Sequence, residues 1–500
     1  MFSSSFRSPT SSSPTTSLRW TLLCLFVAAV AWPQLCFSQE TTTPGTAQQA
    51  GNGALNSVGE KVAGNLLKEM TRMIPGDVEP GSKLETSLKE VAELFAKRQL
   101  NDAKSALWKI KANESRVPPI ELLFASMAYA VGDGNSGRRL LESAAISHGD
   151  YPDIYFSFAR LALGQNRITD ADALADKALL TIQSSNGAFD EDQLSHFKRR
   201  YYDTKYQVAK SRGKKDEARA AVAELEKVSP GSVPTLLARA EVAFEFDEVD
   251  KSLEILRQLE KLKSGDNIPP AEVTVASWLQ RKGKPEDAGL LLKQAASERR
   301  SNEKVQLAFA QWLISREDFP GTLSAIKRIE EINGDSSASR ELRGKVAFAQ
   351  GAYAMAEGQF KRLTTDNPTN FDYANLYALS LAHSPKKEKQ DLAVNLARQV
   401  AQAKTNNVVA VSSLAYVLMK SGQIDAAKAI LAKVIKQRNL NPEVTFIVCY
   451  MLSETGQKDQ SQAVLRKVLN SKGLFLFRTE AKKLLKMNSQ STGGLPAPGQ

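Results

Sequence analysis

One spacing constrains this chain more than any other feature: a small residue recurs every 34 positions. The series runs Ala103, Gly137, Ala171, Ala218, Ser252, Ala288, Thr322, Ala356, Ala393, Ala427 and Ser461, and seven of its ten intervals are 34 residues. Four residues after each marker stand Leu107, Leu141, Ala175, Val222, Leu256, Leu292, Ile326, Phe360, Ala397, Leu431 and Leu465, all apolar. Three further on come Ile110, Ala144, Ala178, Leu225, Leu259, Ala295, Ile329, Leu363, Val400, Val434 and Val468, again all apolar. Offsets of 0, 4 and 7 lie on one face of an α-helix, so each marker predicts a helix that buries that face. A fixed period of this length predicts a stack of supersecondary units, each packed on its neighbours.

A second small residue precedes most markers by 12 positions: Ala125, Ala159, Ala240, Ala276, Ala310, Gly344, Ala415 and Cys449, with Val91 and Tyr206 as exceptions and Ala378 displaced to 15 before its marker. Paired small residues let two helix axes approach closely, so each unit reads as a helical hairpin. Between the two helices stand Gly132, Gly213, Gly283, Gly351, Gly422 and Gly456, with Asn166 and Asp247 at equivalent places. These residue types tolerate the left-handed backbone that ends a helix. Pro118, Pro152, Pro234, Pro269 and Pro442 open units where a first turn needs no amide donor.

Period, small slots, turn glycine and opening proline together resemble the tetratricopeptide repeat, over roughly residues 84 to 475 in eleven units. The usual first-helix tryptophan is mostly absent, and the aromatic slot of the second helix is filled mainly by Leu or Val, with Phe360 the nearest match. Related helical-hairpin repeats are the alternative. The resemblance implies an all-α, right-handed α-solenoid of about eleven hairpins with terminal capping helices. It also implies a concave face, built from the first helix of each unit, that holds protein or peptide segments, as in exported bacterial proteins with many such repeats. The interval from Ala171 to Ala218 carries an insertion around Gln183–Ser195, read either as a loop that could act as a hinge or as a longer second helix with a solvated turn, and the turn at Ser384–Lys389 is lengthened.

The first 38 residues read as a signal peptide. They contain no acidic residue, only Arg7 and Arg19 as cations, and an apolar run from Trp20 to Trp32 closed by Pro33. That run is short for a membrane span, which needs about 20 apolar residues. Cleavage is expected after Ser38, with Ala31 the rival position. The expectation is an exported chain, periplasmic or extracellular. An uncleaved membrane tether, or an organelle lumen in a eukaryotic source, are the alternatives. Cleavage removes Cys24 and Cys36 and leaves Cys449 alone, so burial rather than disulfides must hold the fold. The remaining organisation is read as a flexible linker at 39–54, an amphipathic capping helix at 55–83 built on Leu55, Val58, Val62, Leu66, Met70 and Met73, the repeat array at 84–474, a capping helix at 475–488 and a polar tail at 489–500.

No phosphate-binding glycine loop, HExxH helix or GxSxG elbow is present, so no enzymatic activity, cofactor or metal is expected. An enzyme with an unrecognised site has only the three histidines in its favour, and His148, His196 and His383 are read as solvated. The formal charge of +11 favours anionic partners, and Lys198, Arg199, Arg200, Lys205, Lys210, Arg212, Lys214 and Lys215 form a basic stretch with few local acids. An envelope polysaccharide or other anionic polymer is therefore the second functional reading. Nucleic acid is disfavoured, because the expected export would separate the chain from it. Projection of the first helices places Phe95, Tyr129, Arg200, Lys210, Phe244, Phe348, Tyr416 and Tyr450 as candidate partner-binding residues on the concave face, the aromatics forming an apolar track or packing between units.

Overall fold

The computed structural model describes residues 52–262, 268–437 and 439–492. The signal-peptide reading, the linker up to residue 51 and the end of the polar tail lie outside them. The described residues form 24 α-helices and no strand. They divide into two compact units, one comprising the chain up to Phe158 with Leu180–His196, the other Ala159–Leu179 with the chain from Phe197 onwards.

In the first unit α1 (Asn52–Met73) precedes the hairpins α2 (Lys83–Ala96) with α3 (Leu100–Asn113) and α4 (Ile120–Ala130) with α5 (Gly134–Ser147). Leu66, Met70 and Met73 recur at helical spacing and are buried, and α1 packs on α2 and α4. The unit also takes in the starts of α6 (Pro152–Gly164) and α8 (Glu191–Ser211) and the end of α7 (Ile168–Gln183). The insertion is a longer α7 plus a short connection, closed at α8 by a reciprocal cap. The Asp190 carboxylate accepts from the Gln193 amide at 2.8 Å, and the Gln193 side chain accepts from the Asp190 amide at 3.0 Å. His196, read from sequence as solvated, is instead buried, its Nε2 at 2.9 Å from an Asp153 carboxylate oxygen that is itself fully enclosed. The pair ties the start of α8 to the start of α6. Sequence reading missed it because the partner lies 43 residues away.

The second unit continues with α9 (Lys215–Val228), α10 (Val233–Glu245), α11 (Val249–Glu260), α12 (Ala271–Arg281), α13 (Pro285–Glu298), α14 (Glu303–Ser315), α15 (Phe319–Asn333), α16 (Ser337–Ala349) and α17 (Tyr353–Asp366). It ends with α18 (Phe371–Leu381), α19 (Lys387–Ala403), α20 (Val408–Lys420), α21 (Ile424–Val434), α22 (Pro442–Glu454), α23 (Lys458–Val468) and α24 (Arg478–Thr492). Even-numbered helices from α2 to α22 are the first helices of hairpins and odd-numbered helices from α3 to α23 the second.

The repeat slots explain this packing. Every marker and its two apolar followers are buried. The two small slots meet directly where the marker is serine: Ser252 Oγ donates to the Ala240 carbonyl, and Ser461 Oγ to the Cys449 carbonyl, each at 2.8 Å. Such a bond reaches helix backbone only because neither slot carries bulk. Where the slot is glycine the partner ring fills it, since a Cβ on Gly344 would stand 2.8 Å from Phe360 and one on Gly137 2.9 Å from Tyr129. The predicted turn glycines adopt positive φ, as do Asn166 and Asp247. Arg98 and Glu317 occupy the same left-handed position without a sequence signal for it, at φ 61° and 58°.

Gly289, one residue beyond a marker, supports a close approach of another kind. A Cβ there would come within 2.0 Å of the Trp312 indole, which stacks on Phe309 and donates from Nε1 to the Pro285 carbonyl at 3.0 Å. Gly289→Ala gains helix propensity but must expel the indole, so a net loss of about 1–2 kcal/mol is expected. Urea unfolding, followed by circular dichroism, measures it.

Candidate functional site

The candidate residues do not share one surface. Phe95 is packed edge-on against Phe124 at 5.5 Å, and Phe244, Phe348 and Tyr416 are 3%, 1% and 0% exposed. These four are therefore corrected from partner-binding to core positions: the slot that projection turned outward is covered by the next hairpin or by the chain's own C-terminal segment. Tyr129 lies over Gly137 within its own hairpin. Tyr450 is half-buried, edge-on to Tyr416 at 5.4 Å with the Lys420 ammonium above its ring. Arg200 is half-buried on α8. Lys210 is spent on Glu241 at 2.6 Å.

Lys205, Arg212, Lys214 and Lys215 of the basic stretch are likewise engaged. Lys205 reaches Asp172 at 2.5 Å and Asp176 at 3.0 Å, Arg212 reaches Asp172 at 2.7 Å, Lys214 reaches Glu217, and Lys215 donates to the Glu245 carbonyl. The acids stand on α7, α9 and α10, so a count of neighbours along the chain overstated the local positive charge. Asp172 is held below the ordinary carboxylate range: burial opposes its ionisation, but the two cations outweigh it.

What the structure brings together is different. After α23 the chain leaves the repeat period and crosses back over the first-helix ends of the hairpins from α14 to α22. Glu317, in the turn after α14, accepts from the Phe475 amide at 3.1 Å and from Arg478 Nε at 2.7 Å. Thr479 Oγ1 donates to the Ala349 carbonyl at the end of α16, at 2.6 Å. Phe477 stacks on Phe446 at 4.8 Å and meets Phe348 and Tyr416 edge-on at 5.3 and 5.1 Å. Further along, Asn488 accepts from Ser453 at 2.6 Å and donates to Ser461 at 3.2 Å. Helix α24 is thus more than the end cap its amphipathic pattern predicts, because its leading turn reaches hairpins far back in the array. Phe475 and Phe477 are fully enclosed, each burial contributing about 1.5–3 kcal/mol.

His383, also read as solvated, belongs to this cluster. It stacks on Tyr353 with ring centroids 3.5 Å apart and lies 3.2 Å from the Tyr416 hydroxyl. Burial, aided by the Lys420 and Lys483 cations and opposed by Glu480, pushes its pKa down to about 3. Glu480 accepts from Tyr353 and Lys483 and stays ionised below the usual range, although burial works against it. Cys449 is fully buried and its thiol is pushed up to about 12, which makes it an inert packing group.

A second concavity of about 530 Å³ lies along α13 and α15, lined by Leu290, Phe309, Trp312, Lys293 and Arg328. Its acids are committed elsewhere, Glu286 to Arg316 and Asp318 to the Gly321 amide that it caps. Among the described residues no group of three His, Cys, Asp or Glu side chains is arranged to hold a metal, and no helix is long and apolar enough to cross a membrane.

The fold and this face define an all-α helical-hairpin repeat protein. Residues 388–445 match the family described as Tetratricopeptide repeat, and the same buried slots recur in the hairpins on either side. A tetratricopeptide repeat protein from Parabacteroides merdae is 12% identical, aligning 58% of this chain with 99% of that one at a TM-score of 0.37. Yeast Tom70 is 11% identical over 82% of this chain and 97% of its own, at 0.33. A thermophilic protein of the same repeat class from Thermus thermophilus is 14% identical over 38% and 99%, at 0.31. No curated protein shows significant sequence similarity to the chain.

The neutral His383 carries a pH dependence. Between pH 6.5 and about 3 the unfolded chain binds a proton that the folded chain refuses, so stability falls as the pH falls through that window. The expected slope is up to ~1 kcal/mol per pH unit. In His383→Gln it should flatten between about pH 7 and pH 5, where the carboxylates still contribute little. Urea midpoints at several pH values report it.

Proposed function

We propose that the chain is an exported, non-enzymatic scaffold that holds segments of other proteins against the ends of its first helices. One observation carries this reading: those ends, in hairpins from α14 to α22, already hold a polypeptide segment that is not part of any repeat, through backbone hydrogen bonds, an ion pair and stacked rings. A surface that satisfies main-chain donors and encloses aromatic side chains is chemically suited to extended protein segments. Export rests on the acid-free opening, the short apolar run and the reliance on burial with a single remaining thiol. A polyanion as partner has less support, since Lys205, Lys210 and Arg212 are neutralised by acids of neighbouring helices.

The reading is tested at exposed positions of the first helices. A photo-reactive residue at Gln280 on α12 or Gln311 on α14 should form adducts with particular proteins in the native host, whereas one at Ile146 on the second helix α5 should not. Equal labelling from all three positions would remove the scaffold reading. Export has its own check, for which the chain recovered from its host is expected to begin at Gln39; a chain that retains Met1 would oppose processing there.

A further inference from the structure

The C-terminal segment differs from everything it touches. The hairpins from α14 to α23 fill their small and apolar slots with residues of the repeat pattern, while Phe475, Phe477, Ala481 and Leu484 of the segment join that apolar cluster from outside the pattern. The segment adds a further layer on a face left over once the repeats have packed. Along the chain it follows α23 through residues 469–473, a connection without helix or strand that contains Gly473 at φ 90°. Among the described helices it follows the last hairpin, α22 with α23.

Its recognition elements are specific. Leu474 rests on the apolar cluster of α14 and α15 with Leu307 and Phe319. Phe475 and Phe477, two residues apart, both enter the aromatic pocket of Phe348, Tyr416 and Phe446. The Arg478 guanidinium meets the Glu317 carboxylate. Glu317 is the telling residue on the receiving side. It stands in the left-handed turn position that glycine, asparagine or aspartate fills in most other hairpins, a conformation costly for a residue with a long side chain. The strained turn aims its carboxylate at both the Phe475 amide and Arg478.

We propose that Leu474–Asn488 is a displaceable resident ligand of this face, and that the guest which replaces it is a protein segment of the same chemistry: two aromatic side chains at alternate positions followed directly by an arginine. The inference rests on the scaffold reading above and deepens it, since guest binding on these hairpins is then gated by release of the chain's own C-terminal segment. The Phe475-Leu476-Phe477-Arg478 sequence describes what the face selects. Glu317 supplies the charge that reads the arginine and the acceptor that reads the main chain.

The test uses the full chain and a fluorescent peptide with the sequence of residues 470–489. The intact chain should bind it weakly, because the resident segment competes from within. A chain carrying Phe475→Ala and Phe477→Ala should bind it at least about tenfold more tightly. A peptide carrying the same two alanines should not bind. Equal affinity for the intact and substituted chains, or no binding to either, would overturn the proposal. Hydrogen exchange on the unsubstituted chain covers the case in which the double variant fails to fold. Amides of residues 478–488 should exchange faster than those of α20, and faster still when excess peptide is added. Exchange of α24 only at the rate of α20 would make the segment part of the core and refute displacement. Neither result touches the adducts expected at Gln280 and Gln311, so failure of the gate and failure of the scaffold reading are told apart.

Discussion

The two helices of a hairpin approach each other closely, and the rest of the structure depends on it. At the serine markers a side-chain hydroxyl reaches the carbonyl of the facing helix, which requires the two backbones to lie nearly in contact. A larger residue in either slot of these serine-marked hairpins would push the axes apart and break the hydroxyl–carbonyl bond. The left-handed turn and the buried follower residues are consequences of that spacing. They recur because the spacing recurs.

Charge has a secondary but definite part, acting between hairpins rather than along them. Glu272 is almost fully enclosed and is held by Arg257 at 2.8 Å and by Arg299 at 2.7 Å, while Arg299 also reaches Glu260. Burial alone would neutralise that carboxyl, but the arginine hydrogen bonds hold it ionised. Lys205 and Arg212 on Asp172, and Lys210 on Glu241, are the same device on α8. Each ties helices that are distant in sequence, so a chain with a formal charge of +11 does not present its cations as one patch.

The C-terminal segment uses a surface that the repeats create but do not consume. At the ends of the first helices stand the Ala349 carbonyl, the Phe446 ring and the Glu317 carboxylate, all engaged by residues 475–479. Residues 474–488 satisfy those polar groups while burying Phe475 and Phe477. The neutral His383, enclosed by Tyr353 and Tyr416, shows how dry that layer becomes once it is covered.

The sequence by itself determined the hairpins, their number of residues per repeat, the buried slots and most turn positions, because those features follow from local helix geometry repeated at a constant interval. The left-handed backbone at Arg98 and Glu317 was not legible, since neither residue type announces it. Nor was the fate of the candidate aromatics: projection along an isolated helix cannot show that Phe348 and Tyr416 are roofed by a segment more than 60 residues away. The same holds for His196, whose Asp153 partner is on another helix, and for Lys205 and Lys210 of α8, whose acids are on α7 and α10. Only tertiary structure decides these, because burial and ion pairing depend on which surfaces meet, and periodic sequence specifies the surfaces without specifying every occupant.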